Sequence, residues 1–187
     1  MPLHPEHIAE LLRLPPPRDP RDLHVQVADE GVPVRAAAVL VPMVARETEV
    51  NLLFTQRTEH LTSHPGQISF PGGRVEATDC GREDTALRET EEEIGLPSAK
   101  IEVLGHLGEH HTVTGFRVTP VVGLIKPPFD LRPDDFEVAE VFEAPLSYLI
   151  DPRNHGTRHL ERGGIMREFF AIEYGGHTIW GATAAMI

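Results

Sequence analysis

The sequence holds a single cysteine, Cys80, in 187 residues. One thiol makes no internal disulfide, which excludes a bridge-stapled scaffold and makes a reducing compartment, the cytoplasm, the expected setting. Positive charge is scarce as well: 17 Lys and Arg face 29 Asp and Glu, for a formal net charge of −12. Non-specific affinity for nucleic acid or anionic lipid comes from clustered basic side chains, so neither partner is expected, while one small anionic ligand stays open. Long apolar runs are missing. The stretch from Ala36 to Ala45 is interrupted by Pro42 and falls well short of the ~20 residues a membrane-spanning helix needs. Met1 to His7 lacks the basic-then-apolar order of a secretory signal.

What is present is a chain long enough to bury roughly 70% of its unfolded surface without staples. No repeat, low-complexity tract or linker divides it, so one domain over 1–187 is expected. Ile8, Leu11, Leu12 and Leu14 fall at near-helical spacing before the stop Pro15–Pro17, which predicts an N-terminal helix and Pro-rich extension over 1–20. Strands are predicted at Val34–Val44, Val50–Thr55, Ile68–Phe70, Ile101–Gly105, Phe116–Ile125, Val138–Phe142, Arg167–Glu173 and His177–Trp180. The rest of Arg57 to Gly73 holds too many Pro and Gly breakers for regular structure. The clearest helix is Arg82–Ile94, stopped by an αL cap at Gly95 with Leu96 folding back on its last turn. Short helices follow at Leu146–Ile150 and Ala182–Met186. Many strands with few, separate helices point to an α+β or α/β sandwich.

The segment from Arg88 to Leu96 carries the most information. At about 100° per residue, Glu93 lies some 40° to one side of Glu89 and Glu92 about 60° to the other, so three carboxylates share one helix face. Ala86, Leu87, Thr90 and Ile94 form the adjacent sector expected to bury. A solvated acidic face is one reading. The other is a metal site: Glu91, Glu92 and Glu93 sit in the last turn, where the helix dipole disfavours negative charge by roughly 0.3–1 kcal/mol each. A hard cation such as Mg²⁺, which prefers carboxylate oxygen and bridges to substrate phosphates, would offset this.

These residues resemble the box of the Nudix hydrolases: Gly, five residues, Glu, seven residues, then Arg-Glu-aliphatic-x-Glu-Glu-x-Gly-aliphatic. Gly73, Arg88, Glu89, Glu92, Glu93, Gly95 and Leu96 occupy box positions. Asp79 stands where Glu is usual, one residue is added before Arg88, and Thr90 replaces an aliphatic residue. Upstream, Leu53, Thr55, Arg57, Gly66 and Phe70-Pro71-Gly72-Gly73 are similar to the pattern of the coenzyme A diphosphatase branch, with Phe54, Thr58 and Thr62 departing. Thr62 matters most, since it replaces an Arg able to meet an anionic substrate. Thr112–Val122 and Ile179–Ala184 also look like this branch, the first as a strand lining the cleft, the second docking the C-terminal helix with Trp180 in the core.

The resemblance implies an α/β fold, a Nudix-type α/β/α sandwich with a mixed sheet. It implies Mg²⁺- or Mn²⁺-dependent hydrolysis of coenzyme A to 3′,5′-ADP and 4′-phosphopantetheine, by a monomer or homodimer. It further implies Glu89, Glu93, Glu92 and the Gly72 carbonyl as metal ligands, and Arg88 as orienting these carboxylates or pairing with Asp79. Glu92 or Glu137 is the candidate general base, and Glu137 and Glu140 sit on or before a strand from which one could reach the metals. Arg57 and Arg74 are candidate phosphate contacts; His64 either reads substrate or stabilises its loop. His110-His111 is expected as loop at the cleft rim, since no further ligand completes a zinc site. Two alternatives remain: another nucleoside diphosphate derivative as substrate (ADP-ribose, a dinucleotide or a nucleoside triphosphate), or a non-catalytic nucleotide sensor. The sensor would be expected to lose box carboxylates, and none is lost here.

Overall fold

The computed structural model describes residues 5–12, 34–112, 114–162 and 165–187. Its elements run α1 (Pro5–Leu12), β1 (Arg35–Ala45), β2 (Val50–Arg57), β3 (Ile68–Ser69), β4 (Gly72–Arg74) and α2 (Arg82–Ile94). They continue with β5 (Ile101–His106), β6 (His110–His111), β7 (Phe116–Ile125), β8 (Val138–Pro145), α3 (Leu146–Leu149), β9 (His155–Arg162), β10 (Ile165–Tyr174), β11 (His177–Trp180) and α4 (Gly181–Ala185).

Alternation along the central strands sets the layers. Successive strand residues point to opposite faces, and here both faces are apolar, as expected where parallel strands lie between two layers. Ala38, Leu40 and Val44 of β1, Leu53 of β2, and Val121 and Ile125 of β7 pack with Ala86, Ile94 and Leu96 beneath α2. On the opposite face Val41, Met43, Leu52, Phe54, Val122 and Leu124 pack with Leu149, Ile172, Ile179 and Ala184, and α1 adds Ile8 and Leu12. Phe54 is fully buried, stacked 5.0 Å from Phe70 and 5.3 Å from Phe142. Burying a side chain of this size stabilises the fold by roughly 1.5–3 kcal/mol, so its departure from the upstream pattern is absorbed by the core.

The large sheet is mixed, in the order β3-β2-β1-β7-β5, with β8 on β2, β4 on β1 and β6 on β7; β1 and β7 are its parallel pair. A separate antiparallel sheet runs β11-β10-β9. The expected α/β fold with a mixed sheet is present. One outer layer is α2; the other combines α1, α3 and α4 with the three-stranded sheet.

A split in the large sheet positions the site. β1 pairs with β2 only through Met43–Ala45, while its first half, Ala37–Val39, pairs with β4. The divergence admits the Pro71–Gly73 segment, anchored by the Leu40 amide donating to the Pro71 carbonyl at 2.8 Å. Gly72 and Gly73 thus sit at the sheet end where β1 and β7 begin and β2 finishes.

Several expectations need correction. Gly72–Arg74 and His110–His111 are strand, because β1 and β7 offer them ladder partners. β9 was absent from the predicted elements. Thr112, Thr114 and Gly115 precede β7 instead of joining it, with the Phe116 amide donating to Thr112 Oγ1 at 3.0 Å, and Val113 lies outside the described residues. Trp180 is half-buried and packs on Phe169 at 4.9 Å instead of filling the core. His4, Leu14 and the Pro15–Pro17 stop lie outside the described residues. No described helix is long and apolar enough to cross a membrane.

Candidate active site

α2 spans the predicted residues. Glu83 and Asp84 in its first turn complement the helix dipole, and Gly95 ends it at φ 66°, its amide donating to the Glu91 carbonyl at 2.9 Å. Its buried residues are Thr85, Ala86, Thr90, Ile94 and also Glu93. Thr90, at the aliphatic position, is fully buried with its hydroxyl donating to the Ala86 carbonyl at 2.6 Å, so no polar atom is left unpaired there. The three box carboxylates share a side of the helix but differ in depth. Glu93 is 6% exposed, Glu89 is half-buried, and the Glu92 side chain keeps 60% of its surface.

Glu89 and Glu93 both meet the glycine pair of β4. A Cβ on Gly73 would fall 2.4 Å from Glu89 Oε1, so the carboxylate occupies the space a side chain would need. A Cβ on Gly72 would fall 2.4 Å from the Ala38 carbonyl, so no larger residue fits between β4 and β1. The Gly72 amide lies near Glu93 and favours its charged form. From the other side, the β2–β8 ladder ends with Arg57 opposite Val138, and the Thr58 amide donates to the Glu137 carbonyl at 3.0 Å. Arg57 and Glu137 are thereby brought into electrostatic range of Glu93. Thr58 escaped the sequence reading. Its hydroxyl donates to the Phe136 carbonyl at 2.7 Å and pins the turn that carries Glu137; the one available signal was its departure from the upstream pattern.

Burial pushes the Glu93 carboxyl up to about 8; the Gly72 amide and Arg57 oppose burial only in part, and Glu89 and Glu137 add smaller repulsions. Burial also raises Glu89, opposed by Arg88 and reinforced by Glu92 and Glu137. Beside them lies a fully partnered network. Arg88 donates Nε to Asp79 Oδ1 at 2.9 Å, Nη2 to Asp79 Oδ2 at 3.1 Å and to the Arg74 carbonyl at 3.2 Å, and Nη1 to Glu89 at 2.9 Å and Glu92 at 3.0 Å. Thr85 Oγ1 and the Glu76 amide complete Asp79 at 2.7 Å and 2.8 Å. Arg88 and these hydrogen bonds hold the Asp79 carboxyl well below the usual range. Asp79 is one methylene shorter than the usual Glu, yet it meets Arg88 across a loop one residue longer.

Among the described residues, no three His, Cys, Asp or Glu side chains converge into a ready ligand cluster. The donor chemistry nonetheless fits a hard divalent cation. Carboxylate oxygens from Glu89, Glu92, Glu93 and Glu137 share one region, and their mutual repulsion is the kind a cation relieves.

The remaining candidates scatter. Arg74 is exposed on β4, its guanidinium 5.4 Å from the Phe116 ring centroid. Arg57 is half-buried, with Nε donating to the Ser63 carbonyl at 3.4 Å. His64 is exposed in the β2–β3 connection at φ 56°, and its carbonyl accepts from the Gln67 amide. Glu140 is exposed on β8, 3.7 Å from His177. The open hollow between Glu49, Tyr148, Asp151 and Asn154 is lined by none of these residues.

Comparison with known proteins agrees with this geometry. The NUDIX domain model matches residues 34–161. The chain therefore belongs to the Nudix family and is a hydrolase of pyrophosphate bonds in nucleoside diphosphate derivatives. Hydrolases of this family generally require divalent metal. The uncharacterized Nudix hydrolase NudL of Escherichia coli is 41% identical over 165 residues, covering 88% of this chain and 85% of that protein. NudL of Enterobacter sp. (strain 638) is 42% identical over 153 residues, 82% of this chain and 79% of that one. Among solved structures, a Caenorhabditis elegans Ap4A hydrolase binary complex aligns with TM-score 0.52 at 19% identity, over 61% of this chain and 82% of its own. The Mycobacterium smegmatis Nudix hydrolase RenU aligns with TM-score 0.52 at 21% identity, over 61% and 72%. These two share the fold.

Proposed function

We propose that this hydrolase cleaves the diphosphate of coenzyme A, giving 3′,5′-ADP and 4′-phosphopantetheine, with Mg²⁺ or Mn²⁺ in the cytoplasm. The observation that carries the reading is the meeting of two sequence patterns at the sheet split. Gly73 of the upstream pattern lies against Glu89 of the box, and Gly72, Arg57 and Glu137 come within electrostatic range of Glu93.

Glu89, Glu93 and Glu92, with the Gly72 carbonyl, would hold the divalent cation. When bound there, the cation neutralises diphosphate oxygens and lowers the pKa of a water. Arg88 keeps Glu89 and Glu92 in place while its other edge is fixed on Asp79. Glu137 or Glu92 takes the proton of the attacking water. The water oxygen then bonds to one phosphorus as the bridging P–O bond breaks, and the bridging oxygen leaves with the second phosphate. Arg57 would face the diphosphate and share its charge, whereas Arg74 turns to the other side of β4, toward Phe116. His64 stays with the loop, where its left-handed backbone shapes the connection to β3.

A second reading has its own observation. Thr62 is exposed and uncharged where the branch pattern has Arg, which favours a different nucleoside diphosphate derivative. Incubating the chain with Mg²⁺ and, separately, coenzyme A, ADP-ribose, dinucleotides and nucleoside triphosphates, with products identified by mass, decides between them. The highest kcat/KM on coenzyme A is expected. Release of neither 3′,5′-ADP nor 4′-phosphopantetheine would remove that substrate.

A further inference from the structure

With Thr62 in place of an Arg, positive charge for an anionic substrate comes from elsewhere in this chain. One cluster outside the carboxylates has the right chemistry. Arg35 and Arg74 both lie over the ring of Phe116, their guanidinium carbons 4.1 Å and 5.4 Å from its centroid. Strand register explains the meeting. Arg35 is the ladder partner of Phe116 on β7, and Ala37 is the partner of Arg74 on β4, with β1 between the two. Ladder partners and residues two apart share a face. Arg35, Ala37, Phe116 and Arg74 therefore continue the row of Val39, Val41 and Met43 on the face away from α2. The small Ala37 lets the Arg74 side chain cross β1 to reach the ring.

Two guanidinium groups on one ring repel each other, and an anion held between them relieves the repulsion. Both side chains are exposed, and Arg35 is aimed by Nη2 donating to the Thr114 carbonyl at 3.0 Å. The cluster also borders the reaction centre. Arg74 directly follows Gly73, whose missing Cβ is replaced by the Glu89 carboxylate. β4 thus carries a carboxylate on its α2 side and a guanidinium on the other.

We propose that Arg35 and Arg74, seated on Phe116, form a subsite for a phosphate monoester on the nucleoside half of the substrate, which is the 3′-phosphate in coenzyme A. The inference rests on the proposed substrate only for that last assignment. Arg suits the task because its planar fork meets two phosphate oxygens at once and stacks flat on an aromatic face.

The test is calorimetric binding of 3′,5′-ADP and of 5′-AMP in Mg²⁺ buffer, to the wild-type chain and to Arg35→Ala, Arg74→Ala and Arg35→Lys, each checked by circular dichroism. The wild-type chain is expected to bind 3′,5′-ADP roughly tenfold or more tightly than 5′-AMP. Each Ala variant should lose most of that preference, and Arg35→Lys, which keeps charge but not the fork, should keep part of it. No preference in the wild-type chain, or an undiminished one in the variants, overturns the subsite. If the preference is present and falls as expected but coenzyme A is not hydrolysed, the subsite stands and the proposed substrate fails. If coenzyme A is hydrolysed without any preference, the reverse holds.

Discussion

Within α2, Arg88 and Glu93 stand under opposite electrostatic conditions. Every direction in which Arg88 reaches ends on an oxygen: Asp79 twice, Glu89, Glu92 and the Arg74 carbonyl. Glu93 is buried with one backbone amide and a more distant guanidinium on its side, against burial and two other carboxylates. Buried polar groups are normally satisfied because an unpaired one costs the full desolvation of that group. The Asp79–Arg88 network obeys this and reads as scaffold. The Glu89–Glu93–Glu137 region instead gathers like charges around a buried carboxyl that burial pushes up, and such perturbed groups cluster where a chain handles charge that is not its own.

The comparison breaks most visibly at Glu93. Glu93→Gln keeps the shape while removing the charge. It should lower turnover by on the order of a hundredfold or more, with the thermal midpoint unchanged or raised. Steady-state kinetics beside a melting curve checks this, and a large loss of stability would mean that Glu93 is scaffold after all. Next in size is the contrast across the start of β8. Glu137→Gln should cost roughly a hundredfold in kcat if it is the base, while Glu140→Gln, exposed beside His177, should leave kcat near wild type. Equal effects would erase the distinction between the two positions.

The pH dependence follows from the same contrast. The Glu93 carboxyl titrates near 4.5 in the unfolded chain and about 8 in the folded one. Between these values the native state binds more proton, so its stability is highest below about 4.5 and falls as pH rises through 8. Urea unfolding of the chelator-treated protein at pH 5 and pH 9 should show a decline of at most a few kcal/mol from this group. Glu93→Gln should remove that part of it. Arg88→Ala is expected to lower Tm by a few degrees, because it leaves Asp79 without its main partner. The smallest effect belongs to Thr90→Val, within about 1 kcal/mol of neutral by denaturant midpoint, since the hydroxyl bonds only to its own helix.

Legibility in the sequence tracks how far local chemistry decides the outcome. α2, β7 and β11 were readable to the residue, because an αL glycine ends the first and β-branched runs between turn residues bound the others. β9 was not. His-Gly-Thr-Arg-His-Leu-Glu-Arg has no apolar alternation, and it is strand because β10 offers a ladder along its length. β4 is strand despite two glycines for the same reason: the gap between β1 and β2 accepts it. In the site, the shared face of Glu89, Glu92 and Glu93 follows from helical period alone. Their unequal depth does not, because it depends on β4 passing under Glu93. Glu137 is a candidate base from the sequence, but its approach to Glu93 depends on the β2–β8 register and on Thr58. Arg35 and Phe116 carried no signal, since their meeting depends on the parallel register of β1 and β7.

The central claim is that Glu93 is buried in a carboxylate group made to receive a divalent cation. Calorimetric titration of the chain with Mg²⁺ at pH 7, in buffers of different ionisation enthalpy, tests it most directly, because a cation displaces the proton of a carboxyl that titrates near 8. The account predicts binding with release of most of one proton, diminishing at pH 9 and lost in a folded Glu93→Gln variant. Binding of equal strength and proton count in that variant, or no binding to the wild-type chain, would contradict it.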